Sequence, residues 1–226
     1  MLEGYPNRNS IEPYIEVYKI PEAKTMIRGT LRNPGWCRTM KKIADSGYLE
    51  IEEIEFPSGF TYGQLTNKLL NKPVDSDTTE NVMKEFGIEK DDDIIKRFEW
   101  MGLLGKDQLP KSKISPLDAL CYQFEEHLQY SKGERDMLVM VHQFKYKLPS
   151  GEEKLTSTMI DYGIPNGDSS MSRTVGLPAA IGVRMILEDK ITDRGVLRPV
   201  KKSIYEPVLK ELENLNISFV ERIEKL

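Results

Sequence analysis

Two cysteines and two histidines are all that 226 residues provide in the way of thiol and imidazole chemistry. Cys37 and Cys121 stand far apart, form no CxxC and have no neighbouring histidine, which excludes a zinc cluster and a disulfide framework and suits a reducing compartment. His127 sits beside the acidic pair Glu125 and Glu126, and His142 alternates within a β-rich run. Neither has a clear acidic or thiol partner, so both read as ordinary structural residues. The chain contains no GxGxxG, no GxxxxGK[ST], no HExxH and no GxSxG, and therefore no recognisable dinucleotide turn, phosphate loop, zincin helix or hydrolase elbow. No window approaches the ~20 apolar residues of a membrane span. The opening MLEGYPNRNS lacks a basic region followed by an apolar one, so neither secretion nor a membrane is expected. Excess positive charge is missing too: the formal net charge is −4 and the pI about 5.5, which argues against nucleic acid as a partner.

What is present is ordinary for a folded domain, 39% hydrophobic and 30% charged residues in a length that allows one large domain or two small ones. Two lobes are expected. From residue 36 to 112 the sequence reads as short capped helices with almost no strand signal. Met40 and Ile43 lie on one face, with Gly47 as the stop. Thr61 precedes Leu65, Leu69 and Leu70, and Thr79 precedes Val82, Met83 and Phe86 before Gly87. In DDDIIKRFEWMGLLG, Ile94, Phe98 and Met101 form the stripe, and three aspartates sit at the positive end of the helix dipole.

Beyond residue 112 the character changes. Ser115, Pro116 and Asp118 open a helix whose Leu117, Leu120, Phe124 and Leu128 share a face. DMLVMVHQFKYKL and KLTSTMIDYG flank the turn PSGEEK and read as a hairpin. TVGLPAAIGVRMILEDK is the most apolar helix, with Val175, Ala179, Val183 and Leu187 spaced for burial. SIYEPVLKELENL gives a last amphipathic helix and ISFVERI a closing strand. Strands mixed with helices imply an α/β or α+β layer.

Arginines carry the chemical signal. Arg8, Arg28, Arg32 and Arg38 stand beside Gly, Pro, Asn and Thr, where turns are expected rather than regular structure. A guanidinium fork matches a carboxylate, Gly29 permits close backbone approach and Thr30 supplies a hydroxyl. Two readings fit equally: an anionic ligand is held there, or these arginines pair with the chain's own acids at a lobe boundary. The loop GDSSMSR before the apolar helix carries a second such choice, between N-capping by Ser169, Ser170 or Ser172 and an anion at the free amides.

GYPNRNS, IRGTLRNPGWC, EWMGLLG, SPLDALC, GERDMLVMVHQF, STMIDYG, SSMSRTVGLPAAIGVRMIL and DRGVLRPVKKSIYEPVLKEL stand in the order and spacing of the saccharopine dehydrogenase family, glutamate-forming type. The chain resembles the C-terminal half of these enzymes over nearly its whole length. The resemblance implies an α/β fold with a mixed-sheet substrate-binding and dimerisation domain (1–35 and 113–226) and an inserted all-helical domain (36–112). An N-terminal Rossmann domain binding NADP or NAD would lie outside this chain, so the piece alone is expected to be inactive. The resemblance further implies that Arg8, Thr30, Leu31 and Arg32 hold saccharopine, with Asn7, Gly29 and Ser170 in support. That substrate carries three carboxylates, which suits forked cations and a hydroxyl. The reaction would interconvert saccharopine with glutamate and 2-aminoadipate 6-semialdehyde in lysine metabolism. A homodimer is implied, in the cytoplasm or, for a bifunctional parent, the mitochondrial matrix. No catalytic residue and no metal is assigned. Asn9 replaces the acid of the family's NRDS, and GDSSMSRTVG stands for GYSAMAKTVG, so Arg173 replaces a lysine. The rival functions are a carboxynorspermidine-type dehydrogenase and a non-enzymatic dicarboxylate-binding or dimerisation module.

Overall fold

The computed structural model describes residues 2–7 and 12–226. The chain divides into two compact units, Met1–Pro6 with Gly29–Gln129, and Asn7–Arg28 with Tyr130–Leu226.

The first unit begins with a ribbon that the sequence reading took for turns. Strand β1 (Glu3–Pro6) pairs antiparallel with β2 (Gly29–Arg32), setting Glu3 opposite Arg32 and Tyr5 opposite Thr30. Four helices follow: α2 (Trp36–Asp45), α3 (Tyr62–Leu69), α4 (Thr78–Phe86) and α5 (Asp93–Trp100). Their ends are set by the residues that can satisfy free amides and carbonyls. Thr61 and Gln64 form a reciprocal capping box at α3. Asp77, rather than the expected Thr79, caps α4, and Gly87 closes it in the left-handed conformation at φ 60°. Asp92 caps α5 by accepting from the Ile94 amide.

The sequence boundary at residue 112 falls short of this unit's edge. Strand β3 (Ile54–Glu55) pairs with β4 (Lys113–Ile114), and helix α6 (Pro116–His127) buries Ala119 and Leu120 in the same core as Ile43, Leu65, Ile94 and Phe98. The Leu117 amide donates to the Glu50 carbonyl and the Tyr62 hydroxyl to the Ala119 carbonyl, so α6 is tied to the helical unit by backbone as well as by packing. Its inner face is Ala119, Leu120 and Gln123; Leu128, expected on that face, is exposed. At the centre the Tyr48 hydroxyl and Thr66 Oγ1 are 2.7 Å apart, and Thr66 donates to the Leu103 carbonyl. Burial pushes the Tyr48 phenol well above its ordinary range, and the Tyr62 phenol up to about 12.

In the second unit, α1 (Glu12–Val17) precedes the long hairpin of β5 (Met137–Leu148) and β6 (Gly151–Tyr162), joined by only two residues. Strand β7 (Val220–Lys225) adds to β6. A mixed sheet was expected, yet among the described residues these three strands are antiparallel throughout, because the tight turn returns β6 beside β5 and β7 runs back along its other edge. Helices α7 (Ser170–Leu187) and α8 (Lys202–Asn214) complete the unit. Ile181 and Met185 of α7 pack with Met159, Leu212 and Ile217, flanked by Leu177 and Val208. The row expected to be buried faces outward instead, with Val175 65%, Val183 57% and Leu187 79% exposed. Leu177, Ile181 and Met185 have the same four-residue spacing on the opposite side, and that row meets the sheet.

Candidate substrate-binding ribbon

Of the residues expected to bind substrate, Gly29, Thr30, Leu31 and Arg32 are consecutive on β2 in the first unit. Gly29 is required by close packing within the ribbon: a Cβ there would sit 2.9 Å from the Tyr5 carbonyl oxygen. Leu31 packs near Gly4, where a Cβ would meet its side chain at 3.3 Å. The Arg32 guanidinium is exposed and donates to the Leu31 carbonyl at 2.8 Å; among the described residues it forms no ion pair with a carboxylate.

The ribbon is fastened at one end. Gly35, left-handed at φ 86°, is the N-cap residue of α2 and has no side chain with which to cap it. The Glu3 carboxylate does so instead, accepting from the Gly35 amide at 2.9 Å and the Cys37 amide at 3.0 Å. The Cys37 and then Gly35 amides hold the Glu3 carboxyl below its ordinary range, with a smaller pull from Arg97. Arg97 lies against Gly35 so closely that any Cβ at 35 would collide with its guanidinium. The same anionic neighbour, together with desolvation as the larger cause, pushes the Cys37 thiol up.

Of the other arginines, Arg38 pairs with one of the chain's own acids and Arg28 with an aromatic ring. Arg38 forms a fork with Asp92, at 2.9 and 2.7 Å, and is therefore part of the helical unit's own structure. Arg28 lies 4.5 Å over the Tyr14 ring. Arg8 lies outside the described residues. The Asn7 amide donates to the Arg28 carbonyl at 2.8 Å in the second unit.

Ser170, expected in support, is fully buried and committed to its own unit. Its hydroxyl donates to Asp161 at 2.6 Å and its amide to Asp136, also at 2.6 Å. The Met171 amide donates to the other Asp136 oxygen at 2.8 Å, and the Ser172 amide to Ser169. The start of α7 is therefore already occupied by carboxylate and hydroxyl, which decides that loop for capping and against a bound anion. Burial raises the Asp136 carboxyl, but the Met171, Ser170, Asp136 and Gly163 amides together outweigh it and leave the group below its ordinary value. Arg173 adds a half-buried cation: Nη1 donates to both Asp161 oxygens at 3.1 Å, and Nη2 to the Leu215 carbonyl at 3.2 Å. Asp136 was missed as a functional part of this fold; its place in GERD just before a strand carried no signal at helix spacing.

The saccharopine dehydrogenase C-terminal domain model matches residues 1–217. The chain belongs to that family. It is 36% identical over 228 residues to the mitochondrial alpha-aminoadipic semialdehyde synthase of Bos taurus, covering 96% of this chain and 24% of that protein. It is 36% identical over 231 residues to a saccharopine dehydrogenase (NADP(+), L-glutamate-forming) of Schizosaccharomyces pombe, covering 97% of this chain and 50% of that one. Among solved structures, the apo saccharopine dehydrogenase (L-Glu forming) of Saccharomyces cerevisiae superposes with a TM-score of 0.81 at 33% identity, over 99% of this chain and 52% of the other. The chain thus spans between about a quarter and about half of the length of these relatives. A nicotinamide dinucleotide does not fit the described residues: they contain no parallel β-α-β crossover with a glycine turn to cradle a pyrophosphate. No helix is long and apolar enough to cross a membrane, and no cluster of metal-binding side chains occurs among the described residues.

Proposed function

We propose that the chain is the substrate-holding part of a saccharopine dehydrogenase that interconverts saccharopine with glutamate and 2-aminoadipate 6-semialdehyde. The observation that carries this reading is β2: an exposed guanidinium at Arg32, with no carboxylate partner among the described residues, on the same strand as Thr30 and a glycine-tight backbone. A substrate with three carboxylates supplies the missing anion, and a forked cation orients it bidentately. The family resemblance adds Arg8 as a second such cation, with Asn7 in support. The names of the relatives favour saccharopine over a carboxynorspermidine-type substrate or a non-enzymatic module.

The cofactor, NADP or NAD, is held by another domain of the whole protein, which acts as a homodimer in the cytoplasm or the mitochondrial matrix. The experiment is a spectrophotometric assay of the whole protein with saccharopine and each nicotinamide cofactor, beside the 226-residue chain alone. Reduction by the whole protein and silence from the chain is the expected result. No turnover of saccharopine by the whole protein would refute the assignment. Light scattering of the whole protein at twice the protomer mass is expected, and a monomer across a wide concentration range would refute the dimer.

A further inference from the structure

The geometry points to Glu3 as a positioning residue for the Thr30–Arg32 strand: by occupying the start of α2 it fixes β1, and through β1 the register and place of β2. Glu3 is the only residue of the ribbon directly opposite Arg32. Its backbone holds Arg32 by strand pairing while its side chain grips two amides of another element, at 2.9 and 3.0 Å. Each carboxylate oxygen serves one amide, so both are needed. The four-residue strands of the ribbon are mostly exposed, and among the described residues none of their side chains belongs to the buried core of the unit. Gly35 cannot cap α2 itself, and the Arg97 guanidinium fills the space where a side chain at 35 would stand. The residues from Arg32 to α2 are therefore held at both ends, by strand pairing and by this carboxylate.

Glu3 touches no substrate in this scheme; it acts through Arg32 and Thr30. The inference rests on the reading of β2 as the saccharopine-holding strand. Its discriminating variant is Glu3→Gln, which keeps size but puts an amide donor where one of the two N–H groups needs an acceptor.

The test uses the whole protein, with two readouts. In Glu3→Gln the KM for saccharopine is expected to rise about tenfold, since small misplacement of a clamp is costly, with the KM for the nicotinamide cofactor unchanged. Mere loss of folded protein would lower the apparent kcat and leave both KM values alone. Hydrogen exchange of the peptide spanning residues 28–38 is expected to quicken in the variant while that of α3 and α6 stays the same. Glu3→Asp, which keeps the charge but shortens the reach, serves if Glu3→Gln does not fold, and the same changes are expected. An unchanged saccharopine KM with unchanged exchange overturns the inference. If the wild-type protein does not turn over saccharopine, the functional reading fails instead, and exchange alone decides: quickening at 28–38 upholds positioning by Glu3, and none overturns it.

Discussion

Asp136→Ala tests how the second unit holds its longest helix. The carboxylate takes two amides of the first turn of α7, at 2.6 and 2.8 Å, both oxygens being used. Capping by a single side chain is worth about 0.5–2 kcal/mol, and a full negative charge at the positive end of a helix dipole adds about 0.3–1 kcal/mol. Asp136 is partly exposed, so the lower part of the second range applies, giving about 1–2 kcal/mol for the alanine variant. Asp136→Asn retains one acceptor and loses the charge, so roughly half that loss is expected. Because the folded-state pKa lies below the ordinary aspartate value, the charged form's contribution is complete above that ordinary value. It is lost as the pH falls through the folded-state value. Urea unfolding followed by a probe in the second unit, at neutral and at acid pH, measures both effects. The gap between wild type and Asp136→Asn should be largest at neutral pH and shrink in acid. An alanine variant within experimental error of wild type, or a gap that grows toward acid, would refute this reasoning.

Arg173→Lys keeps the charge near Asp161 but loses the fork that reaches Asp161 and the Leu215 carbonyl together. A loss of about 1–2 kcal/mol is expected in urea unfolding of the second unit. Phe98→Ala opens a cavity in the fully buried centre of the helical unit and should cost about 3–5 kcal/mol, read as a lower thermal midpoint of that unit. Gly29→Ala pushes a methyl group to 2.9 Å from the Tyr5 carbonyl oxygen, a contact that only separation of the two strands can relieve. Calorimetric titration should show saccharopine binding about tenfold weaker, and the thermal midpoint of the first unit should fall with an overpacking cost of about 1–3 kcal/mol.

Where local chemistry alone decides, the sequence was readable. Thr61 with Gln64, and Ser115 with Asp118, are capping groups because their oxygens lie three residues before amides that have no other partner, a relation fixed along the chain. The hairpin of β5 and β6 followed from β-rich runs on either side of a turn. The β1–β2 ribbon did not show, because each strand is four residues with glycine or proline in it, and the pairing joins segments more than twenty residues apart. The outer row of α7 reads as the buried one because apolar side chains stand on two opposite faces of the helix. Val175 and Leu177 begin rows of equal spacing, and only the sheet beneath distinguishes them. The helical unit extends past residue 112 for a similar reason: Ala119 is a small residue whose burial depends on what stands opposite it. In the candidate site, residue chemistry left ligand binding and internal ion pairing equal, and only the family resemblance singled out Thr30, Leu31 and Arg32. The role of Glu3 depends on two amides more than thirty residues away, which no local pattern reveals.

The most direct measurement is calorimetric titration of saccharopine into the whole protein and its Arg32→Ala variant. Loss of a charge-assisted hydrogen bond is worth about 1.5–3 kcal/mol, so binding should weaken by roughly 10- to 150-fold in a variant that melts like the wild type. Equal affinity in the two folded proteins would contradict the assignment of β2 as the strand that holds substrate.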